Sequence, residues 1–544
     1  MIETPDLNWA ALAPELITGG ACMVALLVGM GRALWSRVAA TVVAAVALTA
    51  SIVWSMANFS TSYYGEFGGQ LHSDELTNVG RIIAGLCGLV TVALAVRGRA
   101  DDGRHGEFHA LLLAAVTGMG LLVASSGFVT LFIGLELFSI ALYVMCALDA
   151  ERVASLESGL KYLIVGGMSS AVLLYGSALV YGATGSLAFA DIGAFDGNRG
   201  VLLYAGAAMV LGGLAFKVSA APMHWWTPDV YEGAGTPVTA FMSTATKAAA
   251  FLILARVMTT AFVPEADKWM PIVAALSVTS IVVGNLAALV QPHLKRMLAY
   301  SSIAQAGYLL CGIVAWETTG VPALVYALVV YSAMTLGAFA YVIVLERELG
   351  RDATFADLAG RGWIGEDKTM LHALPALGLT ICMLSLAGIP PTAGFFSKFG
   401  LFDGVVQSGY GWLAVVGALG SVISLGYYLR VLVELYMRAP DASRVAAETV
   451  DLPAPTNGPT RPAGTRMPVA AALGVVLAAI VLLLAFLPER IFDAGCDARG
   501  ELVPTGSCTQ VEAAAGTRAD VGTGTPPQAE AATAAETAQP DEPN

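Results

Sequence analysis

Four lysines and one glutamate stand where an apolar chain has little room for charge. Lys217 lies in "GGLAFKVSAAPMHWW" and Glu136 in "FVTLFIGLELFSIALYV", while Lys161, Lys247 and Lys398 fall in apolar runs of their own. A charge at the bilayer centre costs roughly 2.5–3.5 kcal/mol even on a lenient insertion scale. Five such groups would together cost on the order of 10 kcal/mol or more, comparable with the stability of a whole domain. They must therefore face a polar interior. A desolvated lysine gives up its proton readily, whereas arginine does not deprotonate. A carboxylate that approaches such a lysine stabilises its ammonium, so an ion pair between Glu136 and Lys217 that opens and closes is a proton switch. Glu136, Lys217, Lys247 and Lys398 are the candidates for proton translocation, with Lys161, His224, Lys295 and Arg430 as auxiliary candidates.

The competing reading is structural. Lys161 and Arg256 lie near the ends of apolar runs, where long side chains snorkel to the interface. His224, His293 and His372 lie at such edges too, where a satisfied polar residue competes with a proton relay. The helix breakers argue for more than packing. Pro222 follows Lys217, and Pro390 and Pro391 precede Lys398. A proline frees backbone carbonyls, and within a membrane these are tolerated only where protein or water satisfies them. A break beside a lysine, occurring twice, marks a hydrated cavity at depth.

The elements that position these groups follow from composition. The chain has 544 residues, 56% hydrophobic and 13% charged, against about 25% charged in an ordinary soluble protein. Runs of about 20 apolar residues recur throughout, so the expected fold is an all-α polytopic membrane protein. Fourteen spans are expected, at 9–31, 38–57, 76–96, 108–125, 128–148, 158–182, 201–220, 236–260, 270–291, 296–316, 321–345, 370–388, 411–436 and 467–487. The twelfth continues past its break to about residue 403. The start "MIETPDLNW" lacks a basic n-region, so no cleavable signal is expected. Sixteen Lys and Arg fall in loops on one side, against Arg199 and Lys268 in loops on the other. That asymmetry places both termini away from the cytoplasm.

The two lysine-and-proline segments are separated by five spans, so the halves carrying them are inverted, as in ion-coupled transporters. The expected organisation is a three-helix segment (1–107), a first repeat (108–260), a second repeat (270–436), a last helix (467–487) and an acidic tail (488–544) that reads as disordered. That tail supplies much of the net charge of −13. Five of the seven cysteines lie in apolar spans, where cysteine is usually a small buried hydrophobe; Cys496 and Cys508 could pair in an oxidising compartment. No C-x-x-C, P-loop or G-x-G-x-x-G is present, so no metal, nucleotide or flavin site is expected, and no basic arm suggests nucleic acid.

Three motifs carry a resemblance. "GLAFKVSAAPMHWWTPDVYEGAGTPVTAFMSTATKAAAF", "KRMLAYSSIAQAGYLL" and "LAGIPPTAGFFSKF" resemble the antiporter-like membrane subunits of respiratory complex I, the proton-pumping NADH–quinone oxidoreductase of bacteria. The resemblance covers about residues 9–487. It implies discontinuous seventh and twelfth helices within two inverted five-helix repeats, and residence in the bacterial cell membrane beside a neighbouring antiporter-like subunit and small membrane subunits. It matches Glu136 to the family's helix-five glutamate, and Lys217, Lys247 and Lys398 to its lysines on helices seven, eight and twelve. Lys161 resembles a lysine placed near the switching pair. The resemblance also implies that NADH, FMN, iron–sulfur clusters and quinone belong to other subunits. Two alternatives remain open at this point: an Mrp-type cation/proton antiporter subunit, and a passive membrane scaffold.

Overall fold

The computed structural model describes residues 8–31, 34–65, 69–96, 104–197, 200–363, 370–441, 443–445 and 468–488, with 491, 495 and 496 beyond them. The acidic tail after 496, most of the 437–466 link, Cys508 and the side chain of His372 lie outside the described residues.

Three helices open the chain: α1 (Ala13–Gly29), α2 (Leu34–Ala57) and α3 (Glu75–Ala95). A small antiparallel hairpin, β1 (Tyr63–Gly65) and β2 (Leu71–Ser73), joins the last two, with Tyr63 opposite Ser73. The first repeat comprises α4 (His105–Val123), α5 (Phe128–Cys146), α6 (Val153–Thr184), the broken pair α7 (Val201–Lys217) and α8 (Trp226–Gly233), and then α9 (Thr236–Phe241) running into α10 (Lys247–Thr260). The second comprises α11 (Ala266–Leu289), α12 (Leu294–Val314), α13 (Gly320–Leu349), the broken pair α14 (Met370–Ala387) and α15 (Ala393–Gln407), and α16 (Gly411–Met437). Helix α17 (Pro468–Leu484) packs on α13 and α14.

Among the described residues ten helices are long and apolar enough to cross a membrane, and four shorter apolar helices begin at Ala13, Val201, Ala373 and Pro468. Counted together they reproduce the fourteen expected spans. Each repeat holds five crossings, so the second starts in the opposite direction to the first. The end of the bundle where α1 gives way to α2 is called below the basic-loop end.

Burial separates the elements by role. The run α9–α10 is buried on every side, and α12 and α13 nearly so. Helices α6 and α16 turn apolar side chains such as Leu160, Ile164, Met168, Val415, Leu419 and Val422 outward, as lipid or a partner helix requires. Small residues let backbones meet: a Cβ on Gly176 of α6 would lie 2.9 Å from the Gly206 carbonyl oxygen of α7, a close approach typical of membrane helix packing.

Both breaks appear where the prolines place them, and neighbours satisfy the freed backbone. At the first, the Ala221 amide donates to Ser280 Oγ at 2.8 Å and Thr279 Oγ1 donates to the Ala221 carbonyl at 2.9 Å. Helix α11 thus closes a gap in the seventh crossing. At the second, Gln305 Nε2 donates to the Leu386 carbonyl at 3.1 Å and the Gly394 amide donates to Ser385 Oγ at 3.1 Å.

Two arginines lie deep at the opposite end, and neither snorkels. Arg81 makes a two-pronged contact with Glu15, at 2.7 and 2.9 Å. Arg256 does the same with Asp74, at 2.6 and 2.7 Å. Snorkelling, the competing reading for Arg256, fails because Asp74 supplies a buried counterion. Asp74 also caps α3 by accepting from the Thr77 amide at 2.8 Å, a favourable N-cap. Burial alone would raise the Asp74 pKa, but the Arg256 charge and the hydrogen bonds from Arg256 and Thr77 outweigh it and hold the carboxyl well below its usual range.

A buried pair broken on one side leaves an uncompensated charge, worth roughly 3–5 kcal/mol. Asp74→Asn should therefore lower the thermal midpoint of the purified protein sharply, and Asp74→Leu combined with Arg256→Met should recover much of the loss. Because the folded pKa of Asp74 is depressed, its stabilisation is fully present above its unfolded value of about 3.9. It disappears only as pH falls through the lower folded value. Melting curves between pH 5 and 8 should show no change traceable to this pair.

Candidate functional site

The helix breaks bring lysines to the ends of half-helices inside the bundle. Lys217 is the last residue of α7, where a cation suits the negative end of the helix dipole. Its ammonium donates to Ser139 Oγ of α5 at 2.8 Å, and Ser139 in turn bonds the Leu135 carbonyl. The rings of Phe138, Phe216, Tyr143 and Tyr162 surround Nζ at 5.4 to 5.9 Å from their centroids. Glu136 lies three residues before Ser139, one turn along the same helix.

Glu136 and Lys217 form no salt bridge among the described residues. Lys217 engages the neutral Ser139 instead, and Glu136 Oε1 is buried with no hydrogen-bond partner. The expected ion pair is therefore not closed in this structure. Tyr143 OH and Ser170 Oγ are likewise buried without a partner. The neighbourhood of Lys217 is more polar than its ring of aromatics suggests.

Lys247 begins α10 directly after a π-helical turn, Met242–Thr246. Its Nζ donates to the Ser302 carbonyl at 2.6 Å and to Ser302 Oγ at 2.5 Å, and Tyr331 OH donates to the same hydroxyl at 2.9 Å. The residue is 1% exposed. Lys398 folds back from α15 across the second break. Its Nζ donates to the Ala387 carbonyl at the end of α14, at 3.1 Å, and stands 4.6 Å from the Tyr308 ring centroid. Gly388, at φ +83°, permits this. A Cβ there would be conformationally strained and would meet Lys398 Cδ at 3.1 Å.

The auxiliary candidates lie elsewhere. Lys161 is half-exposed and pairs with Glu157 at 2.7 Å and Asp229 at 3.1 Å. Asp229 continues through Arg296 and Glu232 to His293 at the basic-loop end. Lys161 thus joins a surface network rather than the Lys217 site. His224 sits in the first break, with Nδ1 buried and lacking a hydrogen-bond partner. Arg430 donates to the Gln291 carbonyl at 2.9 Å and covers the Phe355 ring. Lys295 is buried at the foot of α12, between Glu346 and Asp352.

Sequence reasoning missed the neutral partners Ser139, Ser302, Tyr331 and Tyr308. The polar run "AYSSIAQAGY" within an apolar span was the available signal for two of them. Nothing in the residues announces the π turn before Lys247.

Known proteins share this fold and much of this sequence. The family described as NADH:quinone oxidoreductase/Mrp antiporter, TM, matches residues 125–424. NADH-quinone oxidoreductase subunit N 1 of Rhizobium meliloti is 38% identical over 442 residues, 80% of this chain and 90% of that protein. NADH-quinone oxidoreductase subunit N of Paramagnetospirillum magneticum is 35% identical over 93% of this chain and 99% of its own length. Among solved structures, a chain of respiratory complex I from Thermus thermophilus with bound aureothin aligns with TM-score 0.71 at 32% identity, covering 90% of this chain and 99% of that one. A chain of the Mrp complex from Dietzia aligns with TM-score 0.76 at 20% identity, over 92% and 99% of the two chains, which shows a shared fold. With its broken crossings and inverted halves, this multi-pass membrane protein belongs to the antiporter-like family of NADH:quinone oxidoreductases and Mrp antiporters, and within it to the subunit N proteins of NADH-quinone oxidoreductase.

Proposed function

We propose that the chain translocates protons through Glu136, Lys217, Lys247 and Lys398, driven by quinone reduction in other subunits of an NADH-quinone oxidoreductase. One contrast carries this reading. The deep arginines are fixed in salt bridges, Arg81 to Glu15 and Arg256 to Asp74. The deep lysines Lys217, Lys247 and Lys398 instead bond neutral oxygens, those of Ser139, Ser302 and Ala387. A charge kept only for packing would be paired, since an isolated buried charge is expensive. A neutral partner suits a group that must exist both with and without its proton.

Protonation of Lys217 is stabilised when Glu136 closes on it and destabilised when the pair opens onto Ser139. The orphaned polar atoms of Glu136, Tyr143 and Ser170 supply the several partners that a bridging water needs. The protein's own part is to hold and pass protons. NADH, FMN, iron–sulfur clusters and quinone belong to partner subunits, and the outward apolar faces meet lipid and neighbouring membrane subunits. The functional units are the two repeats, 108–260 and 270–436, and the basic-loop end faces the cytoplasm of a bacterial cell, with both termini on the other side.

Lys217→Ala and Glu136→Ala should each lower proton uptake per NADH oxidised in reconstituted vesicles while the complex still assembles. Unchanged pumping at unchanged yield would remove the switch. Lys398→Arg keeps the charge and its bond to the Ala387 carbonyl but cannot release a proton. Pumping should fall in both Lys398→Arg and Lys398→Ala; a fully active arginine variant would make Lys398 a structural cation. For orientation, single cysteines at Thr61 and Asp441, both exposed, should react with an impermeant thiol reagent from opposite sides of intact cells, Asp441→Cys from the cytoplasm. Labelling of both from one side would overturn the assignment.

A further inference from the structure

The basic-loop end holds a second group of buried charges that the axis does not use. Lys295, the second residue of α12, is 2% exposed. Its Nζ lies 3.7 Å from Glu346 Oε1, at the end of α13, and 3.6 Å from Asp352 Oδ1, in the loop beyond. Each carboxylate uses its other oxygen for anchoring. Glu346 Oε2 accepts from Thr236 Oγ1 at 2.5 Å, and Asp352 Oδ2 accepts from Arg152 at 2.8 Å. Lys295 Nζ and Glu346 Oε1 are both buried without a hydrogen-bond partner.

A static clasp has a different geometry. The other buried pairs of this chain close to hydrogen-bond distance, as Arg81 does on Glu15 at 2.7 Å and Arg256 on Asp74 at 2.6 Å. Lys295 stands about 1 Å farther from each carboxylate than those pairs, held between two bases. Glu346 and Asp352 face it, and Arg152 holds the far oxygen of Asp352, so these four groups balance in charge. Its neighbours on the α12 entry, His293 and Arg296, are turned to Glu232 and Asp229 instead.

The cluster is also aimed at the axis. Ser302, which holds Lys247, is seven residues along α12 from Lys295, two helical turns and about 10 Å on the same face. Thr236, held by Glu346, opens the crossing whose later half starts at Lys247. Both structural routes from the cluster therefore lead to the same ammonium.

We propose that Lys295 and Glu346 form the proton-loading site that supplies Lys247 from the basic-loop side. The inference rests on the proposed proton-translocating function. In the loading step the Lys295 ammonium passes one proton inward, through water and the Ser302 hydroxyl, to the neutral amine of Lys247. The neutral Lys295 amine then takes a proton from the Glu346 carboxylic acid, which has taken it from the aqueous phase. One proton moves from bulk to Lys247, Lys295 and Glu346 both return to their starting state, and no electron is transferred.

The test uses the assembled complex in inverted membrane vesicles, with proton uptake per NADH oxidised normalised to complex content. Lys295→Arg keeps the positive charge between the carboxylates but cannot deprotonate. Glu346→Gln keeps an oxygen for Thr236 but cannot carry a proton. Lys247→Arg serves as the reference for loss of the axis. The proposal expects Lys295→Arg and Glu346→Gln each to lower the proton-to-NADH ratio by the same fraction as Lys247→Arg, at normal complex content. A normal ratio in either variant, beside a lowered ratio in Lys247→Arg, overturns the loading site and leaves the axis standing. Normal ratios in all three overturn the axis itself. If Lys295→Arg reduces assembly, the Glu346→Gln ratio decides alone.

Discussion

Backbone groups freed inside this bundle must be satisfied by protein or by water it encloses, because hydrocarbon offers no partner. That constraint links the broken helices to the lysines. A helix that stops in mid-membrane exposes carbonyls, and an ammonium at the same depth lacks acceptors. At the second break one solves the other: Lys398 reaches back to the Ala387 carbonyl, and the glycine between them, at φ +83°, makes the fold-back feasible. At the first break the work is divided. Helix α11 binds the freed backbone through Thr279 and Ser280, and Lys217 is left to bond Ser139 on α5.

The same constraint sorts the cations by chemistry. Arginine carries a permanent charge, so its burial demands a permanent counterion, and Glu15 and Asp74 provide it on neighbouring helices. Lysine can be buried with a neutral oxygen because its neutral form is accessible. The result is one end where α1, α3 and α10 are pinned by two-pronged pairs, and a central layer where Lys217, Lys247 and Lys398 bond neutral oxygens. Placing the pinned pairs away from the central lysines lets the bundle be stable and still permit proton movement.

Much of this was legible in the residues. The fourteen crossings, both breaks and the depth of Glu136, Lys217, Lys247 and Lys398 follow from apolar runs interrupted by proline and charge, signals that are local. Span limits moved where polar residues extend a helix: the sixth crossing begins at Val153 rather than 158 and the eleventh ends at Leu349 rather than 345. Partnerships were not legible, because they join residues far apart in the chain. Arg256 was visible near the end of an apolar run, but nothing local marks Asp74 as its counterion or Glu15 as that of Arg81. Lys161 looked like a neighbour of the switching pair and instead faces Asp229 across a surface. That the pair of Glu136 and Lys217 is not closed is a matter of distance, which residue types alone do not encode.

The π turn at Met242–Thr246 has a consequence of its own. An α-helix turns about 100° per residue, and a π turn accommodates a surplus residue within one helix. The direction in which Lys247 points is therefore set by how many residues precede it, and only weakly by which residues they are. Substitutions through this turn would leave the aim of the lysine unchanged, while loss of a single residue would swing it away from Ser302 without altering any functional side chain. For this crossing, chain length is itself a determinant of where Lys247 points.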